Sequence, residues 1–326
     1  MRQRVLSLAL PIITLALTPP AHAQNGTLTR SFVSSAGLDT NSCMITAPCA
    51  TFAHAYTAIA ANGIIAAIDP GKYGPIVITG PVTINGNGWA AITGPAQGNG
   101  ITVTASSGNV ALIGLEIDGA GAAYNGIVFN SGSTLTVTNC IVQNFVHNPS
   151  VTASGDGILL QPTTNTVSFA ITNSTFSNNG FFGLYYDAPS GSTATASGTI
   201  DHVVATNNAG DGIAISTLAG GGSAAVGISN SVASNNGTDG IDIGSGSGAI
   251  AASIDNSTMT NNSFGIVGFS TSTVQLGRSV ITANGVGVQN STSSTFYSYG
   301  DNRINGNGTS PTDDVTGATL ITYPTK

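Results

Sequence analysis

The sequence comprises 326 residues, of which 6% are charged, 41% are apolar and 43 are glycine. So little charge with this apolar content is not typical of disordered chains, which combine high charge with low hydrophobicity. The formal net charge of −7, with only seven lysine and arginine residues, leaves no basic surface for nucleic acid or an anionic membrane, and we expect neither as a partner.

The first 23 residues predict a secretory signal peptide. The chain begins Met-Arg-Gln-Arg, is apolar from Val5 to Leu17, and then reaches the small-residue site Ala21-His22-Ala23. The apolar run is too short to cross a bilayer, and a membrane anchor is the alternative. We expect cleavage after Ala23 and a secreted or periplasmic product that does not insert into a membrane.

Residues 24–66 predict an N-terminal strand, a disulfide loop and a capping helix. Cys43 and Cys49 close a short loop, and such a pair forms a disulfide in an oxidising compartment, the alternative being two free thiols. The segment from Thr51 to Ala61, TFAHAYTAIAA, places its large apolar residues on one helical face. We expect this helix to cover the open end of the fold that follows.

Residues 67–309 contain a repeat. Five segments alternate apolar and polar residues as strands do, and each ends at asparagine: ITNSTFSNN at 171–179, IDHVVATNN at 200–208, ISNSVASNN at 228–236, IDNSTMTNN at 254–262 and LGRSVITAN at 276–284. A glycine and a second short apolar run follow each segment. At steps of 22 to 31 residues, the residue before this glycine is Asn125, Asp156, Phe182, Asp211, Asp239, Phe264 and Val286.

This repeat predicts an all-β fold, a single-stranded right-handed parallel β-helix of about ten coils. Counterpart strands of successive coils would pair at about 4.8 Å, and the asparagines at the coil ends would stack as a ladder that satisfies the backbone of the turns. Residues 310–326 lose the repeat, and we interpret them as a C-terminal cap or tail.

The helix, the segment IIAAIDPGKYGPIVITGPVTINGNG and the asparagine-rich coils together resemble the right-handed parallel β-helix proteins of the pectin-lyase-like superfamily. The resemblance covers nearly the whole chain after residue 23 and implies the fold. It implies no single activity, because that superfamily includes lyases, hydrolases, epimerases, phage tailspikes and adhesins.

The stretch GTDGIDI at 237–243 is similar to the Asn-Thr-Asp-Gly-x-Asp motif of polygalacturonases, with Gly237 in place of asparagine. In that family the first aspartate, here Asp239, belongs to a group of catalytic carboxylates. The rest of the family pattern has no match, since no histidine follows His202 and no Arg-x-Lys is present. An inverting hydrolase requires an acid and a base about 6.5–9.5 Å apart, and most of that constellation is missing.

A second partial match lies upstream. Asp201-His202, followed by Asp211-Gly212, is similar to the Trp-Ile-Asp-His and Asp-Gly-x-x-Asp elements of pectate lyases, with Thr199 in place of the tryptophan and Ile215 in place of the second aspartate. Such a lyase requires Ca²⁺ held by carboxylates and a basic residue that removes the proton. No arginine-rich motif in the sequence supplies that base.

The stacked aspartates Asp211, Asp239 and Asp242 are the candidate catalytic residues. If the repeat register holds, Asp211 and Asp239 lie on adjacent coils about 5 Å apart, close enough to raise one pKa or to recruit Ca²⁺. Asp242 joins them only if the corner after Asp239 breaks the strand alternation. The alternative is that Asp-Gly only shapes the corner, with the aspartate bonding backbone two residues on. We expect no other cofactor.

Aromatic and acidic residues of the same repeat are candidates for glycan binding: Asp156, Phe182, Tyr185, Tyr186, Asp187 and Phe264. Because the known catalytic sets are incomplete, we expect non-catalytic binding of a polysaccharide or other surface glycan. One alternative is a polysaccharide lyase or glycoside hydrolase of unrecognised type that uses the stacked aspartates. The other is a purely structural or adhesive surface protein.

Overall fold

The computed structural model describes residues 23–151, 153–217, 221–244, 246, 248–291, 293–317 and 319–323. The chain winds as a right-handed parallel β-helix of about nine turns, so the predicted all-β solenoid is confirmed, with about one turn fewer than expected. All of the predicted signal peptide except Ala23 lies outside the described residues. Within them, no helix combines the length and apolarity needed to cross a membrane.

The strands form three parallel sheets along the solenoid, and the first two share two long strands, Val82–Thr93 and Asn109–Asp118. Besides these, the first sheet contains Leu28–Val33, Ile59–Ala67, Thr134–Thr138, Thr166–Thr172, Thr195–Asp201, Ser223–Ser229, Ile250–Asp255, Thr273–Gly277, Thr295–Ser298 and Ile321–Thr322. The second contains Gly71–Lys72, Ile141–Gln143, Thr175–Ser177, Val204–Thr206, Val232–Ser234, Thr258–Thr260, Val280–Thr282 and Arg303–Ile304. The third contains Ile76–Ile78, Asn99–Thr104, Asn125–Ser131, Ile158–Leu160, Leu184–Ala188, Ile213–Thr217, Asp239–Ile243, Phe264–Gly268, Val286–Asn290 and Val315–Gly317.

The core is built from aliphatic side chains that stack from coil to coil. In the third sheet one fully paired and buried row consists of Ile127, Ile158, Leu184, Ile213, Ile241, Ile266 and Val288. Burial of each such side chain contributes about 1.5–3 kcal/mol. The row also fixes the register, because a slip of one residue would turn it toward solvent.

The predicted asparagine ladder is present at the corner between the second and third sheets. Its buried members are Asn179, Asn208, Asn236, Asn262, Asn284 and Asn307. Each of the first five donates its side-chain Nδ2 to the Oδ1 of the next asparagine at 2.9–3.1 Å. The backbone N–H of each of these five donates to the same atom. The ladder therefore satisfies polar groups that would otherwise be buried without partners.

The sharp corners place non-glycine residues in the left-handed region. At the corner between the first and second sheets, φ lies between 47° and 52° at Asn173, His202, Asn230, Asn256 and Arg278. Asparagine tolerates this conformation best because its short polar side chain bonds locally. His202 thus occupies a slot of the corner repeat.

The capping helix is shorter than predicted. It spans Phe52–Ala58, with Thr51 as N-cap accepting from the N–H of His54, and the predicted end at Ala61 is wrong. From Ile59 the backbone is extended and enters the strand Ile59–Ala67, which pairs with Leu28–Val33. The propensity of the alanines for helix is overridden by this pairing, so the parallel sheets begin before residue 67.

The cysteines and the C-terminal segment have clear places in the solenoid. Cys43 and Cys49 form the predicted disulfide, and Cys140 is a buried free thiol. After the short 3₁₀ helix Pro311–Asp313, the strands Val315–Gly317 and Ile321–Thr322 pair with the preceding coil. The parallel sheets therefore extend into the segment that we interpret as the C-terminal cap.

Candidate functional site

The predicted register places successive corner residues one coil apart, and the structure confirms it. The backbone N–H groups of four glycines, Gly126, Gly157, Gly183 and Gly212, donate at 2.9–3.0 Å to the carbonyls of Asp156, Phe182, Asp211 and Asp239 respectively. Asp239 pairs in turn with Phe264. The aspartates Asp211 and Asp239 therefore lie on adjacent coils, bracketed by Phe182 and Phe264.

The strand alternation breaks after Asp239. Asp239 pairs with Phe264 and Ile241 with Ile266, while both Gly240 and Ile241 are buried. A Cβ atom at Gly240 would lie 2.6 Å from the carbonyl oxygen of Gly265, so this inward position requires glycine. With two successive residues directed inward, Asp239 and Asp242 both reach the outer face of the third sheet. Asp242 can join Asp211 and Asp239 because of this break in the alternation.

Asp211, Asp239 and Asp242 form a cluster, here called the carboxylate triplet. Oxygen atoms of the three side chains lie within 4.8 Å of one another. The Oδ1 atom of Asp211 accepts from the Asp239 N–H at 2.9 Å and from the hydroxyl of Thr238. These donors come from the next coil, so the alternative of an aspartate bonding its own turn does not describe Asp211.

The carboxylate triplet has raised pKa values. Burial, followed by the charge of Asp211, raises the pKa of Asp239 to about 7. Burial, and then the charges of both neighbours, raise the pKa of Asp242 well above its usual range. Burial also raises the pKa of Asp211. Among the described residues no lysine or arginine contributes to any of these shifts, so no basic side chain compensates the negative charge that the triplet carries when it ionises.

The carboxylate triplet fits a hard divalent cation. Ca²⁺ prefers oxygen ligands, especially carboxylates, and takes six to eight of them. The Oδ1 atom of Asp242 is buried and has no hydrogen-bond partner among the described residues, so it offers a free ligand atom. Asp211, Asp239 and Asp242 would hold the ion, and binding would stabilise their ionised forms.

A row of four rings, the aromatic row, leads to this cluster. The ring of His147 stacks on Phe181 with centroids 4.7 Å apart, Phe181 lies 3.9 Å from Phe182, and Phe182 lies 4.5 Å from Tyr185. Phe182 and Tyr185 were candidates from the sequence. His147 and Phe181 were not among the predicted site residues, because the repeat does not specify the stacking of His147 on Phe181.

Tyr185 connects the aromatic row to the acids. Its hydroxyl interacts with Asp187 and opposes the rise in the pKa of that carboxyl. Burial, and then the charges of Asp187, Asp156 and Asp242, raise the pKa of Tyr185. Ala214 lies between Tyr185 and Asp242 in the paired strands, and its small side chain leaves these two residues facing the same space.

Asp156 lies close to this group and is fully buried. One carboxyl oxygen accepts the N–H of Phe182 at 3.2 Å, and the Oδ2 atom has no partner among the described residues. Burial, opposed by this hydrogen bond, and the charge of Asp187 raise the pKa of Asp156 to about 7. Asp187 is half-buried, burial raises its pKa, and its Oδ1 atom also has no partner.

Two sequence candidates do not belong to the site. Tyr186 was expected to bind glycan, but it is fully buried and its ring lies 6.3 Å from that of Phe169 in the core. The strand alternation directs it inward, opposite to Tyr185. The Asp201-His202 pair, which matches the pectate-lyase element, lies at another corner, where Asp201 accepts from His202 at 2.6 Å and from Asn230 at 2.7 Å.

The family model of the right-handed beta helix region matches residues 99–307, and the chain belongs to this family. Among solved structures, pectate lyase Pel9A is similar with a TM-score of 0.54 and 19% identity, covering 82% of this chain and 74% of its own. An alginate lyase from Paenibacillus sp. strain FPU-7 has a TM-score of 0.54 and 15% identity, covering 90% and 100%. The A-module of the Azotobacter vinelandii mannuronan C-5 epimerase AlgE4 has a TM-score of 0.50 and 15% identity, covering 81% and 91%. No curated protein matches the sequence.

Proposed function

We propose that this protein binds a polysaccharide or surface glycan on the outer face of its third sheet, without turning it over. The observation that carries the proposal is the junction of the aromatic row with the carboxylate triplet. Aromatic faces stack on the C–H faces of sugars, and carboxylates accept hydrogen bonds from sugar hydroxyls. The similar structures include two lyases and an epimerase named for polysaccharides.

A lyase or hydrolase that uses the carboxylate triplet is the second candidate function. The favouring observation is the pKa of Asp239, which burial raises to about 7, the range in which a carboxyl can both accept and donate a proton. The geometry also fits Ca²⁺, which such chemistry would use to hold a substrate carboxylate. Against it stands the lack of a lysine or arginine beside the triplet in the described chain.

One experiment separates the two functions. Glycan arrays and calorimetry with the purified protein measure binding, and the same glycans are assayed for unsaturated products and new reducing ends, with Ca²⁺ and with EDTA. We expect binding that Phe182→Ala weakens and no turnover. Turnover that is lost in Asp239→Asn would establish the enzyme instead. A protein that neither binds nor cleaves any glycan would overturn both proposals.

We also propose an extracytoplasmic location. The support is the composition of residues 1–23 together with the Cys43–Cys49 disulfide, which persists in oxidising compartments. N-terminal sequencing of the protein from culture medium and periplasm tests this. A chain that starts at Gln24 in either fraction is expected, and an intact Met1 terminus in the cytoplasmic fraction would contradict the proposal.

A further inference from the structure

We infer that the sugar unit beside Tyr185 is uncharged: the part of the site formed by Tyr185, Asp187 and the buried Asp156 accepts a neutral, hydroxyl-rich ring and rejects a uronate. This inference rests on the proposed glycan binding and narrows its ligand class. It concerns the end of the site next to the aromatic row, one to two coils away from the carboxylate triplet.

The titratable groups around Tyr185 are acidic. Five carboxyl groups from four successive coils face this region: Asp156, Asp187, Asp211, Asp239 and Asp242. In the described part of the chain, no lysine or arginine contributes to the pKa of any of them. Burial and neighbouring carboxylates already raise the pKa values of Asp156, Asp239 and Asp242, so further negative charge from a uronate beside Tyr185 would be unfavourable.

Two carboxyl oxygens near Tyr185 lack hydrogen-bond donors in the described chain. The Oδ2 atom of Asp156 and the Oδ1 atom of Asp187 are buried without partners, and Asp156 is wholly enclosed. Asp156 is beyond the reach of a ligand, so only the half-buried Asp187 can bond the sugar directly. When ionised, Asp187 accepts hydrogen bonds and donates none, so it pairs with the hydroxyls of a neutral sugar, whereas a uronate carboxylate is a further acceptor.

The two acids act differently on the ligand. Asp187 and Tyr185 are both half-buried, so a sugar hydroxyl can reach the exposed part of each side chain. Asp156 has no exposed surface and acts on the ligand only through its charge when ionised, close to Asp187. The rings of Phe182 and Tyr185, 4.5 Å apart, supply the apolar wall for the C–H face of the same sugar.

The test compares neutral and uronic oligosaccharides of equal length by calorimetry, using the full-length mature protein. Neutral glucan, xylan and mannan fragments are set against oligogalacturonate and oligoguluronate, each with EDTA and with Ca²⁺. We expect at least one neutral ligand to bind about tenfold or more tightly than either uronate in both buffers. Asp187→Asn should narrow that ratio several-fold by improving uronate binding, and Tyr185→Phe should weaken the neutral ligand.

Glu116→Gln is the matched control, because Glu116 is an exposed carboxylate of the second sheet and its replacement should leave the ratio unchanged. Thermal unfolding of each variant verifies that it folds. Tighter uronate binding in either buffer would overturn the inference and leave glycan binding intact. An unchanged ratio in folded Asp187→Asn would also overturn it, and binding of neither class would overturn the proposed function with it.

Discussion

Asp314 ends the asparagine ladder. Its Oδ1 atom accepts from the backbone N–H of Asn307 at 3.0 Å and from the Nδ2 of Asn307 at 2.9 Å, which is the geometry that each ladder asparagine offers to the one before it. A carboxylate accepts hydrogen bonds and donates none, so the series closes at this residue without an unsatisfied donor. The C-terminal segment therefore completes the last coil chemically.

Replacement of Asp314 should loosen the C-terminal coils. Asp314→Ala leaves two donors of buried Asn307 without an acceptor and should cost about 2–3 kcal/mol. Because each coil contacts only its neighbours, the effect should appear as faster hydrogen exchange at Val286–Asn290 and Val315–Gly317. Asp314→Asn keeps an acceptor oxygen and should cost less than half as much. Equal exchange in the two variants would contradict this role.

Removal of one ladder asparagine should be more damaging than removal of an exposed one. Asn236 accepts both the N–H and the Nδ2 of Asn208 and donates to Asn262. Asn236→Ala should lower the free energy of unfolding by about 3 kcal/mol, measured by urea denaturation. Asn305→Ala, at an exposed residue, is the control and should change it by less than about 0.5 kcal/mol. Similar losses in both would argue against a ladder contribution.

Ala283 should lower the stability of the corner that it occupies. It has φ of 57° and is exposed, at a corner where Asn178, Asn207, Asn235 and Asn261 have φ of 56°. The left-handed conformation costs alanine about 1 kcal/mol relative to glycine or asparagine. Ala283→Asn and Ala283→Gly should therefore raise the unfolding midpoint, and the β-branched Ala283→Val should lower it. A midpoint that falls in all three would show that the corner is not under this strain.

The raised pKa values predict that stability falls as pH rises toward neutrality. Asp239 binds its proton more tightly in the folded state, with a pKa of about 7, than in the unfolded state. Its contribution is therefore complete below about pH 4 and is lost as pH rises through 7, at a cost of about 1–2 kcal/mol after allowance for solvent screening. Asp239→Asn should flatten this part of the pH profile.

Asp201 provides the opposite control. Hydrogen bonds from Ser229, Asn230 and His202 lower the pKa of Asp201 to about 2. Its contribution is present above about pH 4 and is lost as pH falls toward 2. Asp201→Asn should change only the acid side of the profile. If Asp239→Asn also changed only the acid side, the assignment of a raised pKa to Asp239 would be wrong.

Ca²⁺ should stabilise the protein near neutral pH. Binding to the carboxylate triplet offsets the repulsion among its members, so the unfolding temperature should rise with Ca²⁺ concentration and fall again with EDTA. Asp242→Asn removes a ligand oxygen and should abolish this rise, whereas Glu116→Gln should preserve it. A rise that survives in Asp242→Asn would place the ion elsewhere.

The sequence predicts the fold well because a solenoid repeats the same residue pattern in each coil. The spacing of the corner residues correctly gives the stacking of Asp211 on Asp239, and the terminal asparagines correctly give the ladder. The helix end at Ala61 is missed because the strand Ile59–Ala67 gains its stability from partners distant in sequence. Local helix propensity takes no account of such distant strand partners.

The site was harder to predict than the fold. The membership of Asp242 depends on a local break at Gly240, and Tyr186 was misassigned because adjacent aromatics face opposite sides of a strand. His147 and Phe181 meet only because a loop outside the repeat returns to the corner. Each of these features is set by side-chain direction and loop path, which periodicity does not specify.

The side-chain bonds between the ladder asparagines run in one direction. Each Nδ2-to-Oδ1 bond points toward the C-terminal end, as does the bond from the backbone N–H of the same residue to that oxygen. The same amides also donate to carbonyls of the preceding coil, so each ladder residue links three successive coils. The two ends of the ladder are thus chemically inequivalent, because only the C-terminal end closes on a carboxylate, that of Asp314.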